Sequence, residues 1–144
     1  MKSENETSAW SALLALQRAT HATLRVLSAE LSEMELTASE INALANLSDG
    51  APRTVSELGA AAGTRPTTLT SILDRLERRE LVTRGTRPGD RRAVLVELTS
   101  AGHAAAGTIR EAFDRLERLA LSGLSPEVIA GLRAGLHAMT EVAS

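Results

Sequence analysis

Gly63 divides a run of 26 residues, TVSELGAAAGTRPTTLTSILDRLERR (54–79), into two helices, and few folds accept such a pair. Thr54 and Glu57 have the spacing of a capping box, which opens a helix over VSELGAAAG. Gly63 ends that helix, because glycine takes the left-handed conformation a helix stop needs. Thr64 is expected to cap the next helix, with Pro66 in its first turn, where a missing N–H costs nothing. The second helix runs to about Arg79. Leu69, Ile72, Leu73 and Leu76 fall on one side of it. Thr67, Thr70, Ser71, Asp74 and Arg78 fall on the other, with Thr68 and Arg75 on the flanks. Two helices, a tight turn and a polar, threonine-rich outer face make a helix-turn-helix, whose second helix enters the DNA major groove by its N-terminal part. Short hydroxyl side chains let a helix approach base edges, and their methyls can meet thymine methyls.

The segment after the second helix reads as a wing. LVTRG is a short strand, the Pro-Gly segment Arg87–Asp90 is a turn, and AVLVEL (93–98) is a second strand. Arginines cluster at the tip of this two-stranded hairpin. A narrow minor groove concentrates negative potential, and an arginine on a thin ribbon can enter it. Asp90 would repel phosphate, so its sensible role is to hold the Arg92 guanidinium in a fixed orientation. Arg91 and Arg92 are DNA contacts in this reading, against the alternative of solvated turn charge. Arg87 is a phosphate contact or faces solvent. Arg65, Arg75 and Arg78 could position phosphates, whereas Arg78 and Arg79 could equally be surface charge favoured at a helix C-terminus.

Helices flank this lobe. Residues 8–32 carry Trp10, Leu13, Leu16, Leu24, Leu27 and Leu31 at helical spacing. Thr37 and Glu40 form another capping box, opening a helix with Ile41, Leu44, Ala45 and Leu47 inward. Thr99 caps a helix over about 100–120, and Ser125-Pro126 caps a last one over 126–141. Their stripes are Ile109, Phe113, Leu116 and Leu119 or Ala120, then Val128, Ile129, Leu132, Leu136 and Met139. A small winged core cannot cover the apolar stripes of both terminal helices. Pairing two copies would cover them and set two recognition helices about 34–36 Å apart. The alternative is a monomer whose terminal helices fold back on its own core.

The chain has 144 residues and a formal charge of −2, unevenly spread. Residues 1–50 hold three basic and seven acidic side chains, net −4. Residues 65–92 hold eight arginines against Asp74, Glu77, Glu80 and Asp90, net +4. A local basic block suits a polyanion within a Debye length, though charge alone fits a solvated helix face equally well. Aromatics are 1% of the chain, against base-stacking platforms. The absence of cysteine excludes thiol sensing, zinc–thiolate sites and disulfides. No apolar run reaches the length of a membrane span, and the polar start MKSENETSAW lacks a secretory signal, so a cytoplasmic protein is expected, without membrane partners. His21, His103 and His137 lack metal-ligand spacing, so no metal or other cofactor is expected. No nucleophile–base pair, phosphate loop or carboxylate cluster suggests an enzyme, and 144 residues leave no room for a separate catalytic domain.

DRRAVLVELT fits the pattern D-x-R-x₅-L-T, from Asp90 through Arg92 to Leu98-Thr99. With LTSILDRLERRELVTR before it, the chain resembles the multiple antibiotic resistance regulator (MarR) family over about residues 10–140. The resemblance implies a mainly α fold: one domain, with a winged helix-turn-helix lobe over 37–98 and dimerisation helices over 8–32 and 100–141. It implies a homodimer that binds a pseudopalindromic operator in double-stranded DNA, usually as a repressor, and that often releases it when a small phenolic or aromatic ligand binds. Carried over, Arg92 looks like the minor-groove arginine, Asp90 its orienting partner, and residues 64–75 the recognition helix. Pro66 and the run Thr67, Thr68, Thr70 depart from the family's more mixed Ser/Arg set. The expected DNA-binding residues are thus Arg65, Thr67, Thr68, Thr70, Ser71, Arg75, Arg87, Asp90, Arg91 and Arg92. Trp10, His21, Arg25, Asn42 and Asn46 are candidate ligand-pocket residues. For Trp10 the competing reading is dimer-core packing, for His21 a surface or interface position, and for the two asparagines exposure to water. A loose likeness to a urate-type subgroup would set Trp10 with Asp49 and Arg91. The rival readings of the whole are a winged-helix protein-interaction module that does not bind DNA, and a metal-responsive regulator of the same fold.

Overall fold

The computed structural model describes residues 11–87 and 89–142; for Arg87, Asp90, Arg91 and Arg92 it describes the backbone alone. In chain order the elements are α1 (Ala12–Glu30), a 3₁₀ turn (Ser32–Met34), α2 (Ala38–Asn46), β1 (Arg53–Thr54), α3 (Val55–Ala62), α4 (Pro66–Arg78), β2 (Val82–Arg87), β3 (Asp90–Leu98), α5 (Ser100–Leu121) and α6 (Pro126–Val142). The chain divides into two compact units between Ala112 and Phe113, inside α5. The 37–98 lobe lies within the first.

Local chemistry sets the helix starts. The Thr37 hydroxyl accepts from the Glu40 amide and the Glu40 carboxylate accepts from the Thr37 amide, each at 3.2 Å. Thr54 and Glu57 repeat the exchange at α3. Thr99 accepts from Gly102 N at 2.9 Å, and Ser125 from Val128 N at 3.2 Å. Helix α1 starts at Ala12 with Ser11 as its cap, so the start expected near residue 8 and the stripe residue Trp10 lie outside the described residues. Gly63 ends α3 at φ 65°, as its place in the sequence requires.

Two expectations are corrected. Thr64 does not cap α4: the cap position belongs to Arg65, with no side-chain bond, and the Thr64 hydroxyl donates back to the Ala62 carbonyl at 3.4 Å. With Pro66 as the first helical residue, the cap falls one residue later than the threonine. The wing is also more than a hairpin. Arg53–Thr54 pairs antiparallel with Val96 and Leu95, giving a three-stranded sheet in the order β1-β3-β2. A two-residue strand is too short to show alternation in the sequence.

The core of the first unit lies beneath α4. Leu69, Ile72, Leu73 and Leu76 are fully buried, together with Leu44, Leu47, Leu58, Val82, Val96 and Ile109. Helix α4 ends in a Schellman arrangement: Glu80 N donates to Glu77 O and Leu81 N to Leu76 O. Glu80 takes the left-handed conformation at φ 59°, where glycine is usual. The start of α5 is pinned to this corner. Thr99 N donates to Leu81 O at 3.1 Å, and the Thr99 hydroxyl donates to Glu80 O at 2.6 Å. Gly102 passes so close that a β-carbon there would overlap the Leu81 carbonyl.

Among the described residues from Phe113 onward none is buried. In α6, Val128, Leu132 and Leu136 are exposed, while Ile129 and Met139 are half-buried. Helix α1 buries Leu27, its C-cap Leu31 is also buried, and Leu13, Leu14, Leu24 and Val26 are exposed.

Gly102→Ala is expected to destabilise the chain by about 1–3 kcal/mol, because overpacking against backbone outweighs helix propensity. Gly107→Ala, in the same helix with open space around it, should instead stabilise by about 0.5–1 kcal/mol. Urea unfolding of both variants checks the pair; like responses would contradict the close approach at Gly102.

Candidate nucleic-acid interface

The outer surface of α4 comes directly from its sequence. Four buried residues at helical spacing commit one side to the core, so the side chains between them must face outward. Arg65, Thr67, Thr68, Thr70, Ser71 and Arg75 are all exposed. The Thr70 hydroxyl donates to the Pro66 carbonyl at 2.9 Å. Its proton is therefore used within the helix, and it presents lone pairs and a methyl outward. The Arg65 side chain has no hydrogen-bond or ion-pair partner among the described residues.

The arginines of this segment divide into two kinds. Arg79, at the end of α4, donates to Glu35 O at 3.0 Å and to Met34 O at 2.9 Å. It braces the turn between α1 and α2, where Glu35 itself has φ 53°. Arg84 donates to Asp74 at 2.6 Å and to Glu77 at 2.9 Å. Its pKa is raised above the ordinary guanidinium value by the hydrogen bond to Glu77 first and that to Asp74 second. Arg75 stands 3.6 Å from the carboxylate of Glu40, whose side chain is 5% exposed. Arg78 donates to the Asp74 carbonyl at 3.3 Å. So part of the basic block is spent inside the lobe, and net charge counted along the chain overstates what faces outward. The sequence reading missed the Arg84 pairings. Their one signal is parity: Arg84 lies two residues after Val82, so both point to the same face of the strand.

The wing tip is set by an irregular ladder. Pairing is regular from Val82↔Leu98 to Thr86↔Val94, and then Arg87 pairs with Asp90. One step along β2 thus corresponds to four along β3. Arg91, Arg92 and Ala93 fall in this offset, inside β3, which begins at Asp90 and not at residue 93 as expected. Extra residues in one strand bend and twist it locally. Gly89, at φ 84°, makes the turn. The proposed bond between Asp90 and Arg92 involves side chains outside the description.

The candidate ligand-pocket residues that are described lie on α1 and α2. His21 and Arg25 are exposed on α1. Asn42 donates to the Ala62 carbonyl at 3.0 Å, joining α2 to the end of α3, and Asn46 donates to Asn42 at 2.8 and 3.1 Å. Asp49 accepts from Arg53 at 2.8 Å and from the Ala51 amide at 3.1 Å. Trp10 lies outside the described residues, as does the Arg91 side chain. Among the described residues no group of three or more His, Asp or Glu side chains could hold a metal ion, and no helix is long and apolar enough to cross a membrane.

A helix-turn-helix with a three-stranded wing and an outward polar second helix is a winged helix-turn-helix domain. The model of the MarR family matches residues 36–94. The regulator PecS of Dickeya dadantii is 38% identical over 113 residues, covering 76% of this chain and 68% of PecS. The transcriptional repressor NicR of Pseudomonas putida is 34% identical over 91 residues, covering 63% of this chain; the matched part spans 58% of NicR's own length. The crystal structure of NadR in complex with 4-hydroxyphenylacetate superposes with a TM-score of 0.85 at 24% identity, covering 92% of this chain and 94% of NadR. The chain belongs to the MarR family.

Replacing Arg79 by Ala removes two charge-assisted bonds to carbonyls and is expected to cost about 1–2 kcal/mol of stability, because the carbonyls they serve are partly open to water. Arg65→Ala should change stability by less than about 0.5 kcal/mol. Thermal unfolding of both separates an internal brace from an unspent cation; an equal loss would contradict the division.

Proposed function

We propose that the chain is a homodimeric transcriptional repressor that binds operator DNA and releases it on binding a small aromatic or phenolic ligand. The observation that carries the reading is the outer face of α4. Its first two turns present Arg65, Thr67, Thr68, Thr70 and Ser71 to solvent while the opposite face is wholly buried. Thr67, Thr68, Thr70 and Ser71 would meet base edges in the major groove, and Arg65 and Arg75 would meet phosphates. Arg91 and Arg92, within the offset of β3 beside the tip, would reach the adjacent minor groove, with Asp90 orienting Arg92 and Arg87 near the backbone. NicR's name as a repressor supports the sign of regulation.

The exposed apolar residues support the dimer. Leu13 and Val26 of α1 and Val128 of α6 are each about half exposed or more in the single chain. Burial of such residues against a second copy would stabilise by roughly 25 cal/mol per Å² of apolar surface. A two-fold dimer then matches a pseudopalindromic site. NadR's 4-hydroxyphenylacetate supports an aromatic acid as effector class. In this reading Trp10, His21 and Arg25 would contact the ligand, and Asn42 and Asn46 would act by holding the turn of the helix-turn-helix. The ligand would alter the separation of the two recognition helices as a rigid-body switch.

Arg92→Ala is expected to weaken binding to a duplex selected from a random library by the wild-type protein, by about 1–3 kcal/mol at fixed salt. For the wild type, log affinity should fall linearly with log salt, with a slope set by several phosphate contacts. Fluorescence anisotropy measures both. Unchanged affinity in the variant would remove the wing from the reading, and a flat salt profile would remove DNA.

A further inference from the structure

We propose that Arg84 is a positioning residue for DNA recognition, clamping the wing to the recognition helix so that both reach their grooves in one register. The proposal rests on the DNA-binding function proposed for the chain. Arg84 sits on β2 opposite Val96 and two residues from Val82, both fully buried, so its side chain faces the helix side of the sheet. Strand alternation would place an apolar residue there. Instead the guanidinium of this side chain, which is 26% exposed as a whole, reaches two carboxylates one turn apart on α4. Nε donates to Glu77 and Nη2 to Asp74, so the planar fork fixes direction as well as distance.

The lever arm gives the clamp its consequence. Arg84 lies three residues from Arg87, at the end of β2, or ~10 Å along a strand. A swing of about 20° at the clamp would carry the tip about 3–4 Å, more than a hydrogen bond tolerates. The same pairing neutralises Asp74 and Glu77, about half exposed on the helix that would face phosphates. An ion pair kept where an apolar residue would serve fixes geometry more than it adds stability.

Charge and position make opposite predictions for one variant. Asp74→Asn with Glu77→Gln removes two negative charges beside the duplex, which on charge alone tightens binding to any DNA. If Arg84 acts through its two partners, the same variant loosens the wing. Affinity for the duplex selected by the wild type then falls about tenfold, the scale of one coupled network. Affinity for poly(dI-dC) at the same salt is equal or higher, so the ratio of the two drops. Arg84→Gln should lower the ratio similarly, and the triple variant should be no worse than Arg84→Gln. Arg84→Lys keeps the charge but lacks the fork, and is expected to lower the ratio several-fold with a thermal midpoint near that of the wild type. It carries the test if the double variant does not fold. An unchanged or raised ratio in the double variant or in Arg84→Lys, or three losses that simply add, would overturn the clamp. A wild type that selects no duplex and shows no salt-dependent binding would overturn the DNA-binding reading itself, and the clamp with it.

Discussion

The burial of one face of α4 governs the lobe. Leu69, Ile72, Leu73 and Leu76 are closed to solvent, and at 100° per residue they leave the intervening side chains no direction but outward. Everything proposed for the surface depends on that fixed rotation. If the helix turned by one residue, threonines would enter the core with unsatisfied hydroxyls and leucines would meet water, at several kcal/mol. Hydrophobic burial thus sets the azimuth of a polar surface that contributes little to folding.

Polar contacts then fix what burial leaves loose. The far end of α4 is held at a single corner, where Glu80, Leu81, Thr99 and Gly102 meet through backbone and hydroxyl bonds. Arg79 reaches back to the turn after the 3₁₀ segment, and Arg84 reaches across from the wing. These arginines are neither core nor free surface. They tie neighbouring elements to α4, one at its end and one at Asp74 and Glu77. Because each bond is partly open to water, each adds modest stability; their value lies in geometry.

How much of this the sequence discloses depends on range. Features fixed within four residues are legible: both threonine–glutamate capping boxes, the Gly63 stop, and the spacing of Leu69, Ile72, Leu73 and Leu76 all give their elements correctly. The exception is Thr64, where a proline close behind it shifts the cap to Arg65. Features that depend on partners far along the chain are not legible. Strand Arg53–Thr54 exists because Val96 and Leu95 are there to pair with it, more than forty residues away. The division of arginines into braces and free cations is hidden for the same reason: Arg78, Arg79 and Arg84 look alike until Asp74, Glu77 and the carbonyls of residues 34 and 35 come into place. The bond by which Asn42, exposed on α2, reaches the Ala62 carbonyl at the end of α3 is hidden in the same way, its partner lying twenty residues on.

The MarR family gives this geometry its context, and in the function proposed for it α4 and the wing meet a duplex in adjacent grooves. Hydroxyl-radical footprinting of the wild-type protein on a duplex it has selected tests that most directly. Two protected half-sites related by two-fold symmetry are expected, about one helical turn apart between their centres, each with protection continuing into a flanking minor groove. A single uninterrupted patch, or a uniform pattern without groove periodicity, would contradict it.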